Sequence, residues 1–147
     1  MFESEISSNI TAYTICRKFP DAKYILDLGM GKGGYLVKKL QEEGKITFGV
    51  DLRNFHQSGL IIANAKKLPF ADETFDLVHE CFFLADLVGL QDATEEVLDI
   101  FIKEAKRVLK IGGVFYSLPH PEYASDFFDK RIFTGANDNP YIGIYVK

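Results

Sequence analysis

The sequence predicts an α/β domain: a mostly parallel sheet with helices on both faces. Three observations predict it. Short apolar runs alternate with amphipathic stretches along the chain, the connections between them are short, and a glycine cluster from Gly29 to Gly34 joins an apolar run to a helical one. Such alternation means βαβ units, whose crossovers cover both faces of a parallel sheet. The 147 residues suit a single domain, 1–147, since a second core would need a longer chain. With 47% hydrophobic and 14% aromatic residues, the chain can build a core, which excludes a disordered segment.

Ile6, Ile10 and Tyr13 lie at helical spacing, so a first helix is expected to reach about Phe19, where Pro20-Asp21 turns the chain. Lys23–Leu28 reads as the first strand. Tyr35, Leu36, Lys39 and Leu40 carry a helix that Gly44 should stop as its C′ residue. Ile46–Val50, closed by Asp51, reads as the second strand, Gly59–Ala63 as the third and Phe75–His79 as the fourth. Asp92 with Glu95 forms a capping pair before an apolar helical face made by Leu98, Phe101, Ile102, Ala105, Val108 and Leu109. Gly112-Gly113 should end that helix and Val114–Leu118 should form the fifth strand. A short helix near Tyr123–Phe128 and two last strands, near Ile132–Thr134 and Tyr141–Val146, complete the reading, with Asn137–Pro140 turning between them.

Composition narrows the function. Seventeen Lys+Arg against 21 Asp+Glu, a net charge of −4, argues against a free-standing nucleic-acid binder, which uses surplus cations to displace counterions from phosphate. The two cysteines, Cys16 and Cys81, exclude a disulfide framework and a thiolate metal knuckle, and suit a reducing compartment. The acidic start, Met1-Phe2-Glu3-Ser4-Glu5, does not read as a signal peptide, and no apolar stretch is long enough to span a bilayer. A cytoplasmic location is the expectation. His56, His79 and His120 stand in different loops, so no metal site is expected.

Ligands of such sheets bind beyond the C-terminal strand ends. Asp27-Leu-Gly-Met-Gly-Lys-Gly-Gly34 stands at one such end, where glycines let the backbone turn sharply and approach a ligand. Two fingerprints compete there. Gly29-x-Gly31-x-x-Gly34 fits a dinucleotide loop, with a pyrophosphate on the helix N-terminus. Asp27-x-Gly29-x-Gly31-x-Gly33 fits the loop of class I S-adenosylmethionine-dependent methyltransferases. A carboxylate at Asp27 suits a cationic amino group and would repel a pyrophosphate. Asp51, at the end of the second strand, stands where an acidic residue accepts from ribose hydroxyls.

Two further segments resemble the methyltransferases. Asn64-Ala-Lys-Lys-Leu-Pro-Phe-Ala-Asp-Glu-Thr-Phe-Asp-Leu-Val78 is similar to their D-A-x-x-L-P-F-x-D-x-x-F-D-x-V stretch. Lys103-Glu-Ala-Lys-Arg-Val-Leu-Lys-Ile-Gly-Gly113 is similar to their E-x-x-R-V-L-K-P-G-G helix end. The resemblance covers roughly residues 23–118, in the order the family has. It implies a Rossmann-like methyltransferase fold, single-domain, with an antiparallel C-terminal strand, and S-adenosyl-L-methionine as cofactor with S-adenosyl-L-homocysteine as product. It assigns cofactor binding to Asp27, Gly29, Met30, Gly31, Gly33, Asp51, Leu52, Asn64, Ala65 and Glu80.

Departures are Asn64 for the usual Asp, Ile111 for the usual Pro, and Met30 and Lys32 in the loop. The additions that usually form the family's substrate pocket are nearly absent. The acceptor, a small molecule or a macromolecule, is not named by the sequence, and a second copy of the chain or a partner subunit is expected to complete the pocket. His79, Glu80 and His120 follow strands four and five and are the catalytic candidates, should the acceptor need a base. A noncatalytic partner-binding subunit and a nucleotide-dependent oxidoreductase are the competing functions. Phe82, Phe83, Leu84, Tyr123, Phe127 and Phe128 are expected to leave an apolar patch beside the cofactor mouth.

Overall fold

The computed structural model describes residues 10–30, 34–81, 95–118, 128, 130–131 and 143–147. In chain order these give α1 (residues 10–16), β1 (Tyr24–Leu28), α2 (Tyr35–Glu42), β2 (Ile46–Asp51), β3 (Leu60–Ile62), β4 (Phe75–Cys81), α3 (Glu95–Val108), β5 (Leu109–Leu118), β6 (Lys130–Arg131) and β7 (Gly143–Val146). The strands form a sheet in the order β3-β2-β1-β4-β5-β7-β6. Pairing is parallel from β3 through β5, and β7 is antiparallel to both β5 and β6. This is the α/β architecture the sequence predicts, including its antiparallel end.

Apolar side chains divide between the two faces. On one face α3 lays Leu98, Phe101, Ile102 and Ala105 against Leu26, Leu28 and Val78. On the other, Ala12, Ile15 and Cys16 of α1 and Leu36 and Leu40 of α2 cover Ile25, Leu77 and Tyr116. The spacing of each helix's buried set is that of one helical stripe. Helix α2 ends as expected at Gly44, which has φ 82°. The Lys45 N–H donates to the Leu40 carbonyl at 3.0 Å and the Gly44 N–H to that of Gln41 at 2.9 Å. That pair of bonds is the Schellman motif, which satisfies carbonyls the helix leaves open.

Helix α1 ends at residue 16, short of Phe19, and β4 runs on past His79 to Cys81; two other boundaries differ more from the sequence reading. Helix α3 stops at Val108 and β5 begins at Leu109, five residues before Val114. The reason is tertiary. The Arg107 and Val108 carbonyls accept the Glu73 and Thr74 N–H groups, and Leu109 pairs with Phe75 inside the core. Gly112-Gly113 therefore forms a bulge within the strand rather than a helix stop: Gly112 has φ 79°, and a Cβ at Gly113 would lie 2.8 Å from the Leu109 side chain. The penultimate strand is found at Lys130–Arg131, paired with Val146 and Tyr145. The suggested Ile132–Thr134 strand, the Asn137–Pro140 turn, the Asp92 cap and most of the Tyr123–Phe128 helix lie outside the described residues.

Phe128 corrects one expectation. It is buried, with its ring stacked on Phe115 at 5.1 Å and on Tyr145 at 5.4 Å, so it is a core residue and no part of an exposed patch. Phe82, Phe83, Leu84, Tyr123 and Phe127 lie outside the described residues. No helix among the described residues is long and apolar enough to cross a membrane.

Candidate functional site

Strand order reverses at β1: the chain proceeds to β2 and β3 on one side and to β4 and β5 on the other. The crevice outside the C-terminal ends of β1, β2 and β4 is where sheets of this kind bind ligands. Asp27, Leu28, Asp51 and Glu80 are brought together there.

The turn after β1 is tight. Gly29 has φ 68°, a conformation that costs a side-chain-bearing residue energy. The Gly29 and Met30 N–H groups both donate to the Val50 carbonyl, at 2.8 and 3.1 Å, which ties the start of the loop to β2. Met30 is buried, and a Cβ at Gly49 would meet its Sδ at 2.2 Å. The Met30 side chain therefore fills the space above Gly49 and supports the loop from below. Gly34, at the N-cap of α2, has φ 54°. Gly31 and Gly33 lie outside the described residues.

Asp51 is 7% exposed at the end of β2. Its Oδ1 accepts from the Arg53 backbone N–H at 3.0 Å and from Arg53 Nε at 3.1 Å. The Arg53 guanidinium also lies 4.8 Å from the Phe55 ring centroid. Beside Asp51, Leu52 is 68% exposed, and Ile62, which stands opposite Asp51 in the β2–β3 pairing, is also exposed. Asn64 is exposed and its Oδ1 accepts from the Lys66 N–H at 2.9 Å, an Asx turn; Ala65 is buried.

Asp27 and His79 are cross-strand partners in the β1–β4 register. They are 6% and 2% exposed, with His79 Nδ1 2.8 Å from Asp27 Oδ1. An ionised carboxylate can only accept, so Nδ1 carries the proton. On its other side the imidazole stacks on Tyr116, 4.9 Å between centroids and 11° between planes. Burial pushes the Tyr116 hydroxyl above the ordinary tyrosine range. Burial, reinforced by Asp27, pushes the Cys16 thiol up to about 12. Glu80 is also buried, and its Oε1 accepts from the Ser117 hydroxyl of β5. His120 lies outside the described residues. Among the described residues no three His, Cys, Asp or Glu side chains gather in a metal-ligating group.

Sequence reasoning missed the Asp27–His79 pair and the Arg53 contact. Both His79 and Asp27 stood out as residues, but only strand register shows that they meet. The sequence also gave no sign that its two most family-like segments touch. Arg107 donates to the Leu68 and Phe70 carbonyls at 3.2 and 2.9 Å and to Asp72 at 2.7 Å. Glu104, hydrogen-bonded to Arg107, accepts from the Leu68 N–H at 2.7 Å.

Comparison with known proteins bears on family and fold. Residues 26–117 match a family described as a methyltransferase domain. The ubiquinone/menaquinone biosynthesis C-methyltransferase UbiE of Stenotrophomonas maltophilia (strain K279a) is 31% identical over 121 residues, covering 71% of this chain and 45% of that protein. An uncharacterized methyltransferase of Synechocystis is 33% identical over 100 residues, covering 62% and 44%. The chain thus spans less than half the length of these curated relatives. Among solved structures, the PH0226 protein of Pyrococcus horikoshii OT3 has a TM-score of 0.62 at 24% identity over 90% of this chain and 66% of that one. A SAM-dependent methyltransferase of Archaeoglobus fulgidus has a TM-score of 0.55 at 20% identity, over 79% and 55%. At such identities the likeness is one of fold.

Proposed function

The chain belongs to the methyltransferase-domain family, of the class I S-adenosylmethionine-dependent type, and from that premise we propose that it binds S-adenosylmethionine in the crevice beside β1 and β2 and transfers the methyl group to an acceptor. The observation that carries the proposal is Asp51. It is a nearly buried carboxylate at the end of β2, adjoining a glycine turn that is tied to the preceding residue, Val50. That arrangement fits an adenosine ribose, whose two hydroxyls need an acceptor held in place. Exposed Leu52 and Ile62 flank it with the apolar surface a purine face requires, and Asn64 and Ala65 follow on the next turn.

In this reading Asp51 accepts from the ribose, Leu52 packs on the adenine, and Asn64 with Ala65 meets its edge. Asp27 takes the ammonium of the methionine end. The loop from Gly29 through Met30, Gly31 and Gly33 gives that end its close backbone approach. Glu80 closes the β4 side. When bound, the cofactor supplies an electrophilic methyl on a sulfonium, and the chain's contribution is to hold donor and acceptor in line. His79 and Glu80 are both buried and bonded to other side chains, which leaves His120 as the candidate base for an acceptor that must lose a proton.

Calorimetry and thermal melting with S-adenosylhomocysteine test the proposal. A ligand that binds only the folded chain at about 100 times its Kd stabilises it by roughly 2.7 kcal/mol, so Tm rises by several degrees. A folded chain whose Tm ignores millimolar S-adenosylhomocysteine sinks the cofactor reading; a response to nicotinamide dinucleotide alone replaces it with the oxidoreductase. Light scattering during the same experiment reads whether a second copy accompanies the chain, as the pocket-completing partner of the proposal.

A further inference from the structure

The glycine loop is preceded by a carboxylate that the described residues satisfy only sparingly. Among the described residues, the hydrogen-bond and ion-pair partner of Asp27 is His79. A carboxylate has about four lone-pair sites, and burying it with one donor is costly unless further donors or a cation arrive. Among the described residues no Lys or Arg pairs with Asp27; the Lys45 ammonium on this face is taken by the Pro20 and Ala22 carbonyls. Cys16 and Tyr116 are held in their neutral forms, chiefly by burial, and Cys81 lies next along β4. Among the described residues, then, Asp27 meets one imidazole nitrogen, with the buried Cys16 and Tyr116 side chains on the same face.

The donor itself is unusually well fixed. His79 is placed opposite Asp27 by strand register, and its ring is pressed against Tyr116, the next residue in the same cross-strand row. Its Nε2 is buried and has no hydrogen-bond partner among the described residues. A ring with that nitrogen shut away from solvent is badly placed to take a proton from an acceptor in the crevice. Its useful atom is Nδ1, and Nδ1 addresses Asp27.

We propose that His79 is a positioning residue for the cofactor's amino-acid end: by holding one oxygen of Asp27 through Nδ1–H, it fixes the carboxylate so that the other oxygen meets the ligand's ammonium. The inference rests on the methyltransferase reading and adds to it a role for a residue that the sequence offers only as a base. It also makes the site selective. Ligands that share the adenosine but lack the ammonium gain nothing from the Asp27–His79 pair.

The test compares S-adenosylhomocysteine, which carries the ammonium, with 5′-methylthioadenosine, which does not, by calorimetry on the full chain. His79→Asn sets an amide N–H near the place of Nδ1, whereas His79→Gln sets it near Nε2 and removes the donor to Asp27. H79Q should bind S-adenosylhomocysteine about tenfold more weakly and methylthioadenosine as the wild type does, and H79N should recover most of the loss. In an Asp27→Asn background, H79Q should cost nothing further. Equal losses for both ligands, or H79N no better than H79Q, would overturn the proposal and make His79 a packing residue. A wild-type chain that binds methylthioadenosine and S-adenosylhomocysteine equally overturns it too, while leaving the adenosine site intact. A wild type that binds neither ligand removes the methyltransferase reading itself. If neither variant folds, ¹⁵N-histidine NMR of the wild type decides. An Nδ1-protonated ring whose signal moves with S-adenosylhomocysteine and not with methylthioadenosine supports the role; an Nε2-protonated ring ends it.

Discussion

Two charged clusters tie distant parts of this chain together, and they are built on opposite principles. Around Arg107, a planar guanidinium with several N–H donors meets the Leu68 and Phe70 carbonyls, Asp72 and Glu104, and Glu104 in turn takes the Leu68 N–H. One cation serves two carboxylates, the guanidinium donors find acceptors, and the cluster lies partly in water. Around Asp27, a buried carboxylate meets a single imidazole N–H, and the next polar groups along the row, His79 Nε2 and the Tyr116 hydroxyl, have no partner among the described residues. In the first cluster the protein takes up the N–H donors of the guanidinium. In the second, the described residues leave acceptor sites of a buried carboxylate untaken before a glycine turn. The contrast separates two meanings of a family motif: the segments around Leu68–Asp72 and Glu104–Arg107 identify the family most clearly, yet their chemistry is spent on each other.

The strongest way to break that comparison is to show that a fold cluster controls ligand binding. The proposed function puts Asp51 with Asp27 on the ligand side. Charge-assisted bonds to two ribose hydroxyls are worth about 1.5–3 kcal/mol each, so Asp51→Ala should weaken S-adenosylhomocysteine by about 100-fold or more by calorimetry. Asp72→Ala, which removes an exposed partner of Arg107, should leave affinity unchanged and stability within about 1 kcal/mol. Similar losses of affinity from the two would erase the distinction.

Arg107→Met should show the reverse pattern. It strips donors from two loop carbonyls and leaves Glu104 without its cation, an expected cost of about 2 kcal/mol and a Tm drop of several degrees. At a temperature where the variant stays folded, its affinity for S-adenosylhomocysteine should match the wild type. A variant of unchanged Tm would mean that water replaces the guanidinium at no cost.

The smallest expected effect is on the pH dependence of stability. The Arg107 hydrogen bond, outweighing burial, holds the Glu104 carboxyl below its ordinary value of 4.5. The unfolded chain therefore binds more protons in that window, so stability rises with pH there. The contribution is complete above about 4.5 and is lost as pH falls through the lower folded value. Urea unfolding at pH 6, 5, 4 and 3 should show a shallower acid loss for Glu104→Gln than for the wild type. Asp76 retains its own share of the slope in the variant, because its carboxyl is also held low: burial alone would raise it, but the Tyr24 N–H and Lys110 prevail. Superimposable profiles would show that the Glu104–Arg107 bond contributes nothing in solution.

Much of this molecule follows from local rules. Apolar alternation set the order of strands and helices, Gly44 ended α2 where an αL residue is cheap, and Asp27, Gly29 and Asp51 marked the crevice because a tight turn and a strand-end carboxylate need those residue types. What sequence could not supply was register. Whether Leu109 continues a helix or starts a strand depends on Phe75 and the Glu73–Thr74 backbone, more than thirty residues away, and local propensity carries no information about them. The same holds for the site. Asp27 and His79 are 52 positions apart, and only parallel pairing of β1 with β4 sets them side by side. Period-two alternation says that a residue faces one side of a sheet; it does not say which residue stands opposite. The sequence thus determined which groups were present at the strand ends. Tertiary structure decided which of them meet, and so which retain capacity for a ligand.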